Sequence, residues 1–267
     1  MMSKREGLLR WPFFVRCIEA PVNNKKQFPL HVLLAALISL LASFSYGKTY
    51  TIGVESVNHY PHYDFTQNEP RGYLVDLIQE FARDQNIQIQ FKIMSVEDLW
   101  VAYLKKEVDF RLPDNLLWQR DVKQDARLTY SAPLAHFTDG VLSLAKNDGK
   151  PVNSLGTIKG FTAWEFKDQI DSGLIGLHTE LSAKALLDGL LAGKYDGIYY
   201  NVEAFMSLLK EHGVDESQIV FRKDLRKTRS LYMLSSIDHG PTVLALNQFL
   251  RTHKEWVKER KAHYALK

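Results

Sequence analysis

Short apolar runs take turns with stretches of helical period along most of this chain, an order that predicts strand-helix-strand units around a largely parallel sheet. TYTIGV (49–54) reads as a strand. GYLVDLIQEFARDQ (72–85) sets Leu74, Leu77, Ile78 and Phe81 on one face, so it reads as an amphipathic helix. IQIQFKIM (87–94) alternates and predicts a second strand. Ser95, with Asp98 three residues on, predicts a capped helix whose stripe is Leu99, Trp100, Tyr103 and Leu104. VDFRL (108–112) is the third strand, ended by Pro113.

The same grammar restarts further on. GTIKGF (156–161) and LIGLHT (174–179) predict strands, ELSAKALLDGLLAG (180–193) a helix stopped by glycine, and YDGIYY (195–200) a strand. A helix over 202–212, strands over 218–222 and 230–235, and helices over 241–251 and 255–263 follow. Between the two modules, GVLSLAKNDGKPVNS (140–154) passes from a strand-like run into linker-type sequence. Two α/β lobes are expected.

The N-terminal segment has its own logic. Lys25 and Lys26 precede the apolar run from Leu30 to Phe44, and small residues follow at Ser43, Ser45 and Gly47. That is the order of a secretory signal peptide, with cleavage after Ser45 or Gly47 and a mature chain from about Lys48. The alternative, an uncleaved anchor, needs ~20 apolar residues to span hydrocarbon. Residues 1–24 add a second apolar patch (Trp11 to Val15), and Val22 is a candidate true start. Cys17 is the single cysteine and lacks a lipobox-like setting, so neither a disulfide framework, thiol chemistry nor a lipid anchor is expected of the mature chain.

Charge sharpens the picture. The 34 Lys+Arg and 31 Asp+Glu give +3, but residues 1–47 hold six cations against two acids, leaving 28 cations and 29 acids on the rest. A nucleic-acid surface would need excess positive charge there, so no nucleic-acid partner is expected. GxGxxG, Walker, GxSxG and HExxH motifs are absent. His59 and His62 flank Pro61 without a third clustered ligand, and neither a metal nor a cofactor is expected.

Ligands of open α/β sheets bind beyond the carboxyl ends of the strands. The loop after the first strand brings Tyr60, Tyr63 and Asp64, with Glu55 at the strand end. The segment after the third strand, PDNLLWQRDVK (113–123), brings Asp114, Asn115, Trp118, Arg120 and Lys123. Flat aromatics with a cation suit a small ligand that has an apolar body and a carboxylate. Arg120 is the preferred anchor because its planar fork can hold both carboxylate oxygens, and Lys123 is its rival. Packing is the competing reading of these aromatics, above all for Trp100 on its helix stripe.

The order YTIGVE, YPHYDF, RGYLVDLIQEFARDQNIQIQF, LKKEVDFRL, LTYSAPL resembles the bacterial extracellular solute-binding proteins of family 3, the periplasmic amino-acid-binding receptors, over about residues 48–222. LLAGKYDGIYYN (190–201) is similar to a second-lobe segment of that family. The resemblance implies an α/β, two-lobed periplasmic-binding-protein-like fold with two crossover strands. It implies lobe 1 over 48–140 plus 225–267, lobe 2 over 141–224, and a ligand trapped by hinge closure. The family's carboxylate-binding arginine has no motif match, Arg120 being the nearest. Its ammonium-binding aspartate falls on Asn201, which loses charge assistance for an amine. The residues expected to hold a ligand are thus Glu55, Tyr60, Tyr63, Asp114, Asn115, Trp118, Arg120, Lys123 and Asn201.

The expected function is periplasmic capture of a small polar solute, an amino acid or related carboxylate, by a monomer. It would deliver to the membrane component of an ABC importer or to a sensor protein. The alternative is a periplasmic enzyme on the same scaffold, dehydratase-like, for which Glu55, His59 or Asp114 would supply acid-base chemistry. A regulatory or adhesion module with an empty cleft is a third class.

Overall fold

The computed structural model describes residues 47–123 and 126–267; the expected signal segment up to residue 46, with Cys17 and Val22, lies outside the described residues. The first module runs β1 (Thr49–Glu55), a short hairpin of β2 (Asn58–His59) and β3 (Tyr63–Asp64), α1 (Tyr73–Asp84), β4 (Gln88–Met94), α2 (Val96–Leu104), β5 (Phe110–Asp114), α3 (Arg120–Lys123) and β6 (Thr129–Tyr130). The second runs β7 (Ala135–Leu144), β8 (Ser154–Ile158), α4 (Lys167–Asp171), β9 (Gly176–Glu180), α5 (Ala183–Leu191), β10 (Gly197–Asn201), α6 (Val202–Glu211) and β11 (Ile219–Phe221). β12 (Thr228–Ser236), α7 (Gly240–Thr252) and α8 (Lys254–His263) close the chain.

Local sequence accounts for most of these boundaries. The apolar face of α1 buries Leu74, Leu77, Ile78 and Phe81 against Ile52 and Val54 of β1. Ser95 caps α2, its hydroxyl oxygen accepting the Asp98 N–H at 3.1 Å. Gly193 ends the turn after α5 with φ of +73°, a conformation that costs glycine little. Asn201 caps α6 by accepting the Ala204 N–H at 2.8 Å.

One boundary needs correction and one strand is longer than its apolar run. β5 continues through Pro113 to Asp114, because its ladder to β12 shifts register between Met233 and Ser235 and so accommodates a residue without an N–H. Residues 140–144, the strand-like run of the sequence, are the second half of the ten-residue β7, which begins five residues earlier at Ala135. They are buried and paired to β10 and β11, so their apolar run belongs to a central strand.

The strands follow one another in the order β4-β1-β5-β12-β7-β10-β8-β9, with β6 beside β12 and β11 beside β7. β1 lies parallel to both β4 and β5. β12 pairs with β7 through Thr228–Tyr232 and with β5 and β6 through residues 233–236. β7 in turn pairs with β12 through its first half and with β10 and β11 through its second. These two strands are the crossovers between the halves. Among the described residues no helix is long and apolar enough to cross a membrane.

One core lies against each half. Tyr50, Ile52, Leu74, Phe110, Tyr232, Leu246 and Phe249 belong to the first. Leu142, Leu186, Ile198, Phe205 and Leu209 belong to the second, where Val57 and Val96 join from the first half of the molecule. The turn after β8 allows this close approach. Gly160 has φ of +89°, and a Cβ there would sit 3.0 Å from the Val96 Cβ. Gly160→Ala is accordingly expected to lower stability by about 1–2 kcal/mol, read from the urea midpoint, through backbone strain and the crowded contact. An unchanged midpoint would contradict that account.

Candidate functional site

Parallel pairing of β1 with β5 sets Gly53 opposite Arg111, so Arg111 and Glu55, two residues beyond Gly53, emerge on the same face. Their side chains meet. Arg111 Nη2 donates to Glu55 Oε1 at 2.7 Å, and the Tyr63 hydroxyl donates to Glu55 Oε2 at 3.2 Å. The two charged residues are only 1 % and 2 % exposed. Burial raises the Glu55 carboxyl above the usual carboxylate range, while Arg111 and the Tyr63 hydrogen bond pull it back. The guanidinium of Arg111 lies 3.6 Å from the centre of the Trp100 ring, a close cation-π contact. Nε and Nη1 of Arg111 are buried and have no hydrogen-bond partner among the described residues.

These groups form one wall of a cleft of about 650 Å³, its solvent mouth included. Trp118 and Tyr232 extend that wall, Tyr232 stacking on Phe137 at 4.4 Å. The second half of the molecule supplies the facing wall through Thr157, Phe161, Trp164, Tyr199, Tyr200 and Asn201. His59 lies between them, its ring 4.7 Å from Tyr200 and 5.1 Å from Tyr63. Burial lowers the His59 imidazole to about 3, with His62 adding to the effect. Among the described residues its Nε2 has no hydrogen-bond partner, and neither ring nitrogen of buried His62 has one. Among the described residues no group of three or more His, Cys, Asp or Glu is placed to hold a metal ion.

Asp139 of β7 also faces the cleft. It stands directly opposite Asn201 in the β7–β10 ladder and opposite Thr228 in the β7–β12 ladder. Burial pushes its carboxyl up to about 7, with the charge of Glu203 adding and a hydrogen bond from the Asn201 side chain opposing.

Of the nine residues singled out from sequence, Glu55, Tyr63, Trp118 and Asn201 line the cleft. Lys123 and Asp114 lie behind Arg111 as a buried ion pair of 2.8 Å, and Lys123 also donates to the Asn115 carbonyl at 2.7 Å. Asn115 holds the loop to β12, its amide donating to Ser230 Oγ at 2.8 Å and to the Leu231 carbonyl at 2.7 Å. Tyr60 sits under Arg71, 4.9 Å from its guanidinium, and edge-on to Tyr264, outside the cleft. Arg120 is exposed and does not reach the cleft. Arg111, Asp139 and the second-half rings escaped sequence reasoning. A cation inside the apolar run VDFRL was the available signal for Arg111, since a buried strand charge needs a partner or a ligand.

No family model and no curated protein matches the sequence. Solved structures do resemble it. An arginine third-transport-system periplasmic binding protein from Legionella pneumophila superposes with a TM-score of 0.65 at 17 % identity, over 82 % of this chain and 100 % of that one. The GluR0 ligand-binding core in complex with L-glutamate gives 0.68 at 12 % identity, over 82 % and 98 %. A histidine kinase sensor domain with similarity to periplasmic binding proteins gives 0.65 at 13 % identity, again over 82 % and 98 %. With the paired crossover strands β7 and β12 and a cleft walled from both halves, the chain has the two-lobed periplasmic-binding-protein fold.

Proposed function

We propose that the protein captures a small polar solute, an amino acid or a related carboxylate, between its two lobes and performs no chemistry on it. One observation carries the reading: Arg111 lines an aromatic-walled cleft with a buried N–H donor, Nη1, that has no hydrogen-bond partner among the described residues. Leaving such a donor unmet costs about 1–3 kcal/mol or more for a charged group, which a ligand oxygen would recover. Two of the groups expected to serve an enzyme are paired with cations instead, Glu55 with Arg111 and Asp114 with Lys123. The structural neighbours are binding and sensing domains.

With lobe 1 taken as 48–140 plus 225–267 and lobe 2 as 141–224, the contacts across the mouth describe a closed form. Glu211 accepts from Arg71 at 3.0 Å and from Asn58 at 3.3 Å, and the Tyr200 hydroxyl donates to the Asn58 carbonyl at 2.8 Å. The signal-type segment before residue 48 supports export to the periplasm, where the captured solute would pass to an ABC importer or a sensor. A thermal-shift screen against amino acids, small carboxylates and amines tests the reading, because a ligand of the closed state must raise apparent stability.

Glu211→Gln probes the latch. The variant is expected to weaken capture about two- to fivefold, since partly exposed ion pairs contribute up to about 1 kcal/mol. Small-angle scattering should show a larger unliganded radius for it. An unchanged radius and affinity would remove Glu211 from the closing mechanism.

A further inference from the structure

Resting on the capture reading above, we infer that the cleft selects solutes of net positive charge, and that Asp139 holds the positive group among the rings of the second half. The charges on the cleft wall decide this. Arg111 is already paired with Glu55 at 2.7 Å, and Lys123 with Asp114 at 2.8 Å, so these four groups cancel. Asp139 is what is left. Among the described residues no cationic side chain pairs with it, and its neighbours are Asn201, Tyr199, Tyr200 and Tyr232, with a second acid, Glu203, close enough to act on it.

Two consequences follow for a ligand. A second anion placed at Arg111 would face Glu55 across the same guanidinium, so an acidic solute meets a site whose cation is already compensated. A cation placed at Asp139 meets an uncompensated carboxyl in a cleft also lined by the aromatic rings of Tyr199, Tyr200 and Trp164, residue types whose π systems attract positive charge. The carboxyl, held near 7 by burial and by Glu203, gains the counter-charge that the protein does not supply. Meanwhile Nη1 of Arg111, which has no hydrogen-bond partner among the described residues, can donate to an oxygen at the solute's other end.

Calorimetric titration of the purified full-length protein with L-arginine, agmatine, L-glutamine, L-glutamate and succinate tests the inference. L-arginine and agmatine should bind, and both should bind more tightly than L-glutamate and succinate. Asp139→Asn, which keeps size and shape, should weaken the two cations by at least about 30-fold, the loss expected when one member of a desolvated charge pair is removed. Any binding of L-glutamine, which carries no net charge, should be weakened much less. Preference for L-glutamate or succinate in the wild type, or cation binding within twofold of wild type in Asp139→Asn, would overturn the charge assignment and leave capture itself standing. Should none of the five bind, the thermal-shift library decides. Hits confined to neutral or anionic solutes overturn the inference alone, cationic hits support it, and no hit of any kind removes the capture reading with it.

Discussion

Replacing Arg111 by methionine is expected to abolish solute capture and to lower folding stability by about 3–5 kcal/mol, the cost of leaving a buried charge without its partner. Glu55 would be that charge, 2 % exposed and held by one tyrosine hydroxyl alone. Its carboxyl, already raised by burial, would rise further without the guanidinium. A folded carboxyl above its unfolded value contributes stability that is present at low pH and lost as pH rises, so the defect should be larger at pH 8 than at pH 5. Adding Glu55→Gln should restore most of the stability, since neither group is then charged, but not capture. Urea denaturation of the single and double variants, with calorimetry of the solute, separates the two effects. A single variant within about 1 kcal/mol of wild type would show that the pair is dispensable to the fold.

Acidification should strip several kcal/mol more from the wild type than from variants lacking its buried imidazoles. His62 is depressed from 6.5 to about 4 and His59 to about 3, in both cases chiefly by burial. The unfolded chain therefore takes up protons below pH 6.5 that the folded chain refuses. Stability is fully present above the unfolded value and falls until the pH reaches the folded one, at about 1.4 kcal/mol per pH unit for each ring. Asp139 and Glu55, both raised, run in the opposite sense and blunt the overall curve. The readout is thus the stability of wild type relative to His62→Gln, which should shift by roughly 3 kcal/mol in the variant's favour between pH 6.5 and pH 4. A constant difference would mean that His62 is protonated in the folded protein.

The pattern of elements was legible because the helices carry their own signals: the apolar stripe of α1, the Ser95 cap, the glycine after α5. The crossover strand β7 was half hidden. Only its second half showed as an apolar run, and its pairing partners β12 and β10 lie far along the chain. The site was legible where position at a strand end sufficed, as for Glu55 and Asn201, both cleft residues. It was hidden where depth decides. Arg120 and Lys123 differ by three positions, yet Lys123 is 7 % exposed over the Trp100 ring while Arg120 points to solvent. Arg111, in mid-strand, had been read as part of an apolar element. Asp139 becomes a cleft residue only through its pairing opposite Asn201, a juxtaposition across 62 positions that composition and period do not register.

The strand at the middle of the sheet is the last strand made. β7 to β11 and their helices come from one unbroken stretch, so the second half can assemble from contacts near in sequence. The first half cannot. β5 waits for residues 233–236, and its core waits for Leu246 and Phe249, so the half synthesised first is completed last. Until Thr228 and its successors arrive, β5 and the start of β7 are open edges, the kind of surface to which other chains add strands. During its own synthesis the protein is therefore exposed to mispairing at the two strands that later frame its cleft, and a chain cut short before Thr228 keeps that exposure for good.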